Sequence, residues 1–412
     1  MGYDTMKERR ALAKELDAEQ KRLRAVNQHD DWLAERVFPD LYAQFSKKPI
    51  DEKLVVFASS KTEKLPDTMR SLYHRLTADG YTCRFFGVPK TFRSRAAEHS
   101  WYKDFFASFG VCKTLFIDDI FAPVYCVQPR AGQRTVQLWH SSALLRKAGY
   151  AIGKHGVAGE IVDRRLVHKN YTDVAASSRY VKNTLAAVFN CSEEIIHGWG
   201  CAKTDVYFDA DFVAEARHNL IKLVPNLNSQ IEDKKIILYA PTYRGNSEED
   251  AYTHRMLDLL LLKRLLGDRY VFLIRMHPFI RDGANMTGDL RELVHDFAFE
   301  VPQNVPIETA LCGADMLITD YSTILFDYSL LCRPMIFYAF DFEQYTRRRP
   351  LFYNYEHFVP GPIVFDSAQI AEAVEDQEQH FDRERMQHFA QKFMGGCDGH
   401  STERIIHYTV KK

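Results

Sequence analysis

The 412-residue sequence lacks several short patterns that would assign a protein to a class at once. No Gly-x-Gly-x-x-Gly opens a helix after an apolar run, and Gly-x-x-x-x-Gly-Lys-Ser/Thr does not occur, which excludes the common dinucleotide fingerprint and the P-loop. The eight cysteines contain no Cys-x-x-Cys pair and no zinc-finger arrangement with histidine. The chain also lacks a run of about 18 apolar residues, the length that a membrane-spanning helix needs.

An excess of charge of one sign is missing as well. The 54 basic and 55 acidic side chains give a formal net charge of −1, so nothing predicts nucleic acid as a partner. The N-terminus lacks the apolar core of a signal peptide, and together with the scattered cysteines this predicts a cytoplasmic protein. Residues 4–27 are interpreted as a helix, either solvated and ion-paired or resting on anionic lipid at the membrane's inner face.

What the sequence does contain is an alternation of short apolar strands with helices, in a chain that is 46% hydrophobic and 13% aromatic. Strands are predicted at 53–60, 81–88, 114–120, 134–142, 174–178 and 194–200, and again at 235–242, 270–278, 314–322 and 333–339. Such alternation is typical of βαβ units in parallel sheets. Because the pattern restarts after about residues 206–232, the sequence predicts two α/β domains.

Polar side chains lie at or just after the carboxyl ends of four of these strands. They are His140, Arg244, His277 and the group Asp320 to Thr323. Ligands of open parallel sheets bind at the carboxyl ends of the strands, so these residues are candidates for one site. The stretch ITDYSTILFDY (318–328) has two interpretations by itself. Its hydroxyls and carboxylate could cap the following helix, or they could bind an anion such as phosphate.

Eight stretches in order resemble the CDP-glycerol glycerophosphotransferase family, whose members build teichoic acids and related capsular polymers. They are VQLWHSSALLRKAGY (136–150), GCAKTD (200–205), ILYAPTYRGN (237–246), IRMHP (274–278), ADMLITDYSTILFDYSLLCRPMIFY (314–338), DFEQY (341–345), PGPIVFD (360–366) and DGHSTERI (398–405). The resemblance extends over roughly residues 53–405.

The resemblance implies a GT-B fold, with two Rossmann-like parallel-sheet domains facing across a cleft. We expect a charged helical segment over 1–50, an acceptor domain over 51–205, a donor domain over 206–385 and a C-terminal helix over 386–412 that packs back on the N-terminal domain. The implied donor is CDP-glycerol or another CDP-alditol. An acceptor hydroxyl, on a polyol-phosphate polymer or a lipid-linked primer, would attack the phosphorus that bears the alditol, and CMP would leave.

The resemblance also implies roles for the residues at the strand ends. His140 would be the general base, since histidine transfers protons near neutral pH. Diphosphate binding would involve His277, Arg244, Ser322 and Thr323. Asp320 could cap the helix or orient His277. The alternatives are a hydrogen-bonded structural histidine at 140, a turn histidine at 277 and a surface arginine at 244.

Further residues have open roles. Asp327 could hold a ribose or alditol hydroxyl, or make a structural hydrogen bond. Acceptor contacts are expected from Ser141, Ser142, Arg146, Lys147, Asp118 and Asp119. The chain departs from the family pattern at Ser141, Ser142 and Ala143, at Arg146, where the family usually has Lys, and at Ala202 and Lys203, where Pro and Arg are usual.

Other patterns have structural interpretations beside functional ones. The sequence DAD (209–211) matches a metal-binding signature but is better explained by acidic residues at a helix start. The basic runs at 163–169 and 345–350 could bind polymer phosphates or the membrane face, or be solvated surface.

No cofactor is expected, with a divalent cation on the diphosphate left open. The alternatives to the transferase are a nucleotide-sugar glycosyltransferase or epimerase of the same fold, and a non-enzymatic polyol-phosphate or membrane-surface binding protein.

Overall fold

The computed structural model of the chain describes residues 28–152, 167–227, 231, 233–245, 251–253, 257–280, 283 and 288–412. The helix predicted over 4–27 lies outside these residues. The described residues form two compact units. The first contains 28–66, 73–137 and 167–172, and the second contains 67–72, 138–152 and the chain from 173 onward. The domain boundaries expected at 50, 205 and 385 stay a prediction.

The alternation of strands and helices predicted from the sequence is confirmed. The strands are β1 Asp51–Ser59, β2 Thr82–Gly87, β3 Cys112–Ile117, β4 Arg134–Gln137, β5 Asp173–Ala175, β6 Ile196–His197, β7 Lys235–Tyr239, β8 Tyr270–Ile274, β9 Ala298–Glu300, β10 Met316–Thr319, β11 Met335–Tyr338 and β12 Ile363–Val364. They form two sheets, β2-β1-β3-β4-β5-β6 and β12-β11-β10-β7-β8-β9. In the second sheet, Leu238 pairs with Leu317 of β10 and with Leu273 of β8, both in parallel.

Helices connect the strands on both faces of the sheets. The α-helices are α1 Phe38–Phe45, α2 Asp67–Ala78, α3 Arg95–Phe109, α4 Ala122–Tyr125, α5 Lys182–Phe189, α6 Ala210–Leu223, α7 Leu259–Leu266, α8 Asp289–Leu293, α9 Ile307–Gly313, α10 Ile324–Ser329, α11 Phe342–Arg348, α12 Tyr355–Phe358, α13 Ser367–His380, α14 Arg383–Met394 and α15 Ser401–Ile406. None of the helices in the described part of the chain is long and apolar enough to cross a membrane.

Strand composition explains the core of the second unit. Strands β7, β8 and β10 are almost entirely apolar because helices cover both faces of a parallel sheet. Ile237, Phe272 and Ile318 are fully buried in one cluster, which extends to Leu262 of α7 and Ile370 of α13. The aliphatic and aromatic residues of the sequence pattern are therefore the core itself.

Two motifs of the sequence meet at the start of α15. The carboxylate of Asp205, the last residue of GCAKTD, accepts hydrogen bonds from the backbone N–H groups of Ser401 (3.0 Å) and Thr402 (2.8 Å). A helix leaves its first N–H groups without intrahelical partners, and a carboxylate satisfies them well. Asp205 thus joins the GCAKTD and DGHSTERI segments inside the second unit.

A buried ion cluster fastens the carboxyl ends of three adjacent strands, β7, β10 and β11. Arg244, after β7, donates to both carboxylate oxygens of Asp341, after β11, at 2.7 and 2.9 Å. Its Nη1 lies 2.9 Å from the carboxylate of Asp320, after β10. The guanidinium also lies 4.9 Å from the ring centre of Tyr345. Arg244 is 7% exposed, so the alternative of a surface arginine does not apply.

We expect Arg244→Met to lower the free energy of unfolding by about 3–5 kcal/mol, because it leaves two buried carboxylates without their cation. Arg244→Lys should recover little of this loss, since an ammonium group cannot reproduce the planar two-carboxylate contact. Urea unfolding followed by circular dichroism measures both. The control is Arg347→Met, whose side chain is 79% exposed, and it should change the free energy by less than about 0.5 kcal/mol. Equal effects of Arg244→Met and Arg347→Met would contradict the role of the cluster.

Candidate active site

The second sheet has a topological switch point between β7 and β10. From these neighbouring strands the chain departs to opposite sides of the sheet, which opens a crevice at their carboxyl ends. The loop after β7 carries Thr242, whose N–H donates to Asp320 Oδ1 at 2.8 Å. The same oxygen accepts from the N–H of Tyr321 at 2.6 Å. Asp320 therefore fixes the two loops that border the crevice, and its contacts match neither helix capping nor orientation of His277.

The hydroxyls of Ser322 and Thr323 lie at this switch point, at the start of α10. Both residues are half-buried. Within the described residues, Thr323 makes no side-chain capping bond, and the Ser322 hydroxyl is 3.5 Å from the N–H of Ile324. Capping therefore does not account for these hydroxyls. They are available to hydrogen-bond a ligand oxygen.

His277 follows β8, the neighbour of β7, in an aromatic pocket. Its ring centre lies 4.6 Å from that of Tyr243 and 4.7 Å from that of Phe279. Its Nδ1 is 3.2 Å from the N–H of Phe279 and accepts that hydrogen bond, which places the ring proton on Nε2. Burial, and then the charges of Arg146 and Arg349, lower the pKa of His277 to about 4. At neutral pH this residue is a neutral donor rather than a base.

Two arginines from distant parts of the sequence come together beside His277. Residues 145–147 run antiparallel to 350–352, with hydrogen bonds of 2.9 Å from Lys147 N–H to the Pro350 carbonyl and from Phe352 N–H to the Leu145 carbonyl. This pairing brings Arg146 to the segment that carries Arg349. The Arg349 guanidinium lies 4.9 Å from the ring centre of Tyr243. Its Nη1 is buried and has no hydrogen-bond partner among the described residues.

Arg349 is the residue that sequence reasoning missed. The sequence left the run at 345–350 with two interpretations, binding of polymer phosphates or the membrane face, and solvated surface, and it treated the arginines together. The structure separates them. Arg347 and Arg348 are exposed, whereas Arg349 is half-buried and donates to the carbonyl of Gly245. Its position directly before Pro350 was the available signal, because a residue before proline favours an extended backbone and ends the helix.

His140 lies on a short loop rather than on a strand. The strand predicted over 134–142 ends at Gln137, and Trp139 adopts a left-handed backbone with φ of 58°. A tryptophan in this conformation carries strain of order 1–3 kcal/mol, a cost often found at functional sites. His140 is exposed, with its ring 4.4 Å from that of Trp139.

A buried carboxylate holds the His140 loop in place. Asp327 of α10 accepts a hydrogen bond from the Ser142 hydroxyl on one oxygen and from Lys203 Nζ, at 2.9 Å, on the other. Burial lowers the pKa of Lys203, but the Asp327 carboxylate outweighs burial and the net shift is upward. Both oxygens of Asp327 are thus engaged by the protein, which favours the structural hydrogen-bond interpretation. Lys203, an unusual residue for its motif, is the cation of this link.

The remaining residues predicted to contact the acceptor are Ser141, Lys147, Asp118 and Asp119. Ser141 is half-buried and Lys147 is exposed. In the first unit, Asp118 and Asp119 are buried just after β3, and Asp119 lies 3.2 Å from Lys61 Nζ.

Two further patterns of the sequence, DAD at 209–211 and the basic run at 163–169, have different outcomes in the structure. Asp209 of the DAD sequence caps α6 by accepting from the N–H groups of the residues at 211 and 212, both at 3.1 Å, which confirms the capping interpretation. Part of the basic run at 163–169 lies outside the described residues. Among the residues that the structure describes, no cluster of three His, Cys, Asp or Glu side chains could hold a metal ion.

A neutral donor histidine after β8 with two arginines near it, and two hydroxyls at the neighbouring switch point, are typical of a class of protein, namely α/β enzymes that act on phosphate compounds. The structure matches that of the wall teichoic acid polymerase TagF with a TM-score of 0.69 at 22% identity, over 95% of this chain and 98% of that one. This match confirms the GT-B fold.

The family is shown by the sequence. Residues 41–411 match the family model described as CDP-Glycerol:Poly(glycerophosphate) glycerophosphotransferase. The chain therefore belongs to this family of enzymes, as the motifs predicted.

Two relatives named for ribitol phosphate come from Bacillus spizizenii. A teichoic acid poly(ribitol-phosphate) polymerase is 32% identical over 91% of this chain and 59% of its own length. A teichoic acid ribitol-phosphate primase is 31% identical over 87% of this chain and 91% of its own length. A teichoic acid glycerol-phosphate primase of Bacillus subtilis is 26% identical over 72% of this chain and 73% of its own length. The chain thus spans little more than half of the polymerase but most of the ribitol-phosphate primase.

The electrostatic setting of His277 is testable by NMR. We expect its ring signals not to titrate between pH 8 and 5, and its ring nitrogen shifts to report the Nε2–H tautomer, because its pKa is lowered to about 4. Arg349→Met should raise this pKa towards the ordinary value of about 6.5, without reaching it, since burial remains. The exposed neighbour gives the control, Arg348→Met, which should leave the titration unchanged. A wild-type His277 that titrates near 6.5 would refute this description of the site.

Proposed function

We propose that this protein transfers an alditol phosphate from a CDP-alditol to a hydroxyl of a polyol-phosphate acceptor and releases CMP, in the synthesis of a teichoic-acid-type polymer. The observation that carries the proposal is the joining of His277, Arg146 and Arg349 beside the switch point at which Ser322 and Thr323 lie. This group offers uncharged N–H, guanidinium and hydroxyl donors together. A diphosphate needs such a set, because phosphoryl transfer depends on positioning and charge stabilisation.

The chemistry assigns one step to each group. His140 removes the proton of the acceptor hydroxyl, whose oxygen attacks the phosphorus that bears the alditol. The bond between this phosphorus and the bridging oxygen breaks, and CMP departs with the electron pair. His277 Nε2–H, Arg349 Nη1 and the hydroxyls of Ser322 and Thr323 donate to the phosphate oxygens. A neutral histidine in this role does not lose its proton as the pH rises through 7.

Arg244, Asp320 and Asp327 act by positioning. Arg244 engages two carboxylates and the Thr242 carbonyl, so its charge is already balanced within the protein. It orders the loops that carry the donor site rather than neutralising the diphosphate itself. Asp327 holds the His140 loop through Ser142. Ser141, Lys147, Asp118 and Asp119 remain proposed acceptor contacts.

Ribitol phosphate is the unit that we propose for transfer. The relatives named for ribitol phosphate are 29–32% identical over 72–91% of this chain, and those named for glycerol phosphate are 25–29% identical over 69–73% of it. The acceptor is a polyol-phosphate chain or its lipid-linked primer. A lipid-linked acceptor would place the enzyme at the cytoplasmic face of the membrane, with residues 206–385 as the donor-binding part. No step requires a cofactor, and a divalent cation on the diphosphate is compatible with the donor set.

The direct test is CMP release from CDP-ribitol, CDP-glycerol and UDP-glucose, each with an oligomeric polyol-phosphate acceptor. We expect release from CDP-ribitol and none from UDP-glucose. His140→Ala should lower kcat by about 10²–10⁴-fold, the usual contribution of a general base, and leave donor binding intact. His218→Ala, an exposed histidine on α6, is the matched control. Turnover of UDP-glucose alone would favour the glycosyltransferase alternative, and donor binding without turnover would favour a binding protein.

The contacts of Asp327 with Ser142 and Lys203 predict that a change at Lys203 affects kcat but not the KM for the donor. Lys203→Met should lower kcat by about tenfold or more, because misplacing a base by an ångström is costly, while the KM for the donor changes little. Lys203→Arg should recover most of the activity, since it restores the cation. The double variant Lys203→Met with Asp327→Asn removes the buried charge and should recover stability but not kcat. A Lys203→Met enzyme with wild-type kcat would show that the link does not position His140.

A further inference from the structure

A second ligand site lies in the second unit, in a groove of about 530 Å³ that none of the proposed catalytic residues line. Its volume is within the range of about 300–1,000 Å³ that is typical of ligand sites. One wall is α14, on which residues 385, 388, 389, 392 and 393 recur at helical spacing and therefore share a face. The opposite wall is the segment 352–360, which includes α12.

The floor of the groove is aromatic. The ring of Phe358 lies 4.7 Å from that of Tyr353, 5.4 Å from that of Phe389 and 5.2 Å from that of Phe393. Phe358, Phe389 and Phe393 are buried, so the floor is formed by a packed cluster. It is a rigid surface, which costs little conformational entropy on binding.

The rim of the groove is basic. Two exposed cations, Arg385 and Lys392, provide the positive charge, and two exposed histidines, His357 and His388, lie beside them. None of the described residues that line the groove is acidic. Lys392 Nζ lies 4.4 Å from the ring centre of Tyr180, and Arg385 donates to the carbonyl of Val359 at 2.8 Å. The rim thus presents positive charge that carboxylates of the groove itself do not neutralise.

The groove adjoins the candidate active site through the backbone. Phe352, at its edge, donates to the carbonyl of Leu145, one residue from Arg146. On the other side, Phe326 of α10 packs against Phe389 and Phe393 of the groove, with ring centres 5.9 and 5.6 Å apart. Asp327, the next residue of α10, holds the His140 loop. The groove and the candidate site are therefore supported by the same elements, α10 and the segment that pairs with residues 145–147.

We propose that the groove binds the part of the acceptor chain that has already been built, a polyol linked by phosphodiesters. This inference rests on the proposed function. Phosphodiesters match the basic rim, and the C–H surfaces of the polyol lie against the aromatic floor. A purely apolar ligand would remove water from the four polar or charged side chains of the rim without replacing its hydrogen bonds, and this desolvation costs free energy. Free phosphate would leave the aromatic floor unused.

The test compares acceptors of one unit with acceptors of many units. In the double variant Arg385→Glu with Lys392→Glu, we expect the KM for the long acceptor to rise about tenfold, equivalent to about 1.4 kcal/mol. The kcat, the KM for the CDP donor and the kinetics with the one-unit acceptor should not change. The difference in the KM for the long acceptor between the wild type and the double variant should become smaller with added salt, because exposed charges are screened. The control variant is Lys222→Glu with Arg264→Glu, two exposed basic residues of the same unit outside the groove.

Direct binding separates this proposal from the proposed function. Fluorescence anisotropy with a labelled polyol-phosphate oligomer needs no turnover, and weaker binding only in the groove variant would support the proposal even if no CDP-alditol were consumed. An equal loss with one-unit and long acceptors would overturn it, as would an unchanged affinity for the oligomer. Loss of binding to vesicles of anionic phospholipid, with unchanged acceptor kinetics, would also overturn it and assign the groove to the membrane surface.

Discussion

The contact of Arg244 with Asp320 and Asp341 is the interaction on which the candidate site depends. Each of the three residues follows a different strand, and the strands are neighbours in the second sheet. Hydrophobic packing aligns the strands, but it does not specify the paths of the loops beyond them. A buried guanidinium with two carboxylates does, because removing any one partner leaves a charge without compensation in a medium of low polarity. The loops that carry Thr242, Tyr243 and Ser322 are thereby held at the crevice.

Electrostatic balance then separates two kinds of arginine. Arg244 is neutralised by carboxylates and stabilises the scaffold. Arg146 and Arg349 lie near the neutral His277 and contribute to lowering its pKa to about 4. The positive charge of these two arginines favours binding of an anion beside His277. The loop that carries His140 is held separately, by the contacts of Ser142 and Lys203 with Asp327, and contains the strained backbone of Trp139.

Much of the fold and part of the site could be predicted from the sequence. Apolar strands alternating with helices led to parallel sheets, and the residues at the strand ends led to His140, His277 and the stretch from Asp320 to Thr323. The prediction of parallel sheets is confirmed because local hydrophobic pattern determines the strands, and strand polarity determines where a ligand crevice forms. The roles of the residues at the strand ends stay a prediction. Other assignments depended on pairing between distant segments. The sequence distinguishes Arg349 from Arg347 and Arg348 only by its position before Pro350, and its approach to Tyr243 is visible only in the tertiary structure.

The amino-acid sequence by itself determined the family, the two parallel α/β sheets and the residue types that surround the crevice, because each of these follows from local pattern and ordered motifs. The tertiary structure alone decided which partners those residues contact. It engaged Arg244 and Asp327 in internal contacts, placed Arg146 beside His277, and joined α14 to the segment 352–360 in a basic aromatic groove. The physical reason is that charge compensation, desolvation and tautomer depend on neighbours in space, and those neighbours lie up to about two hundred residues apart in the chain.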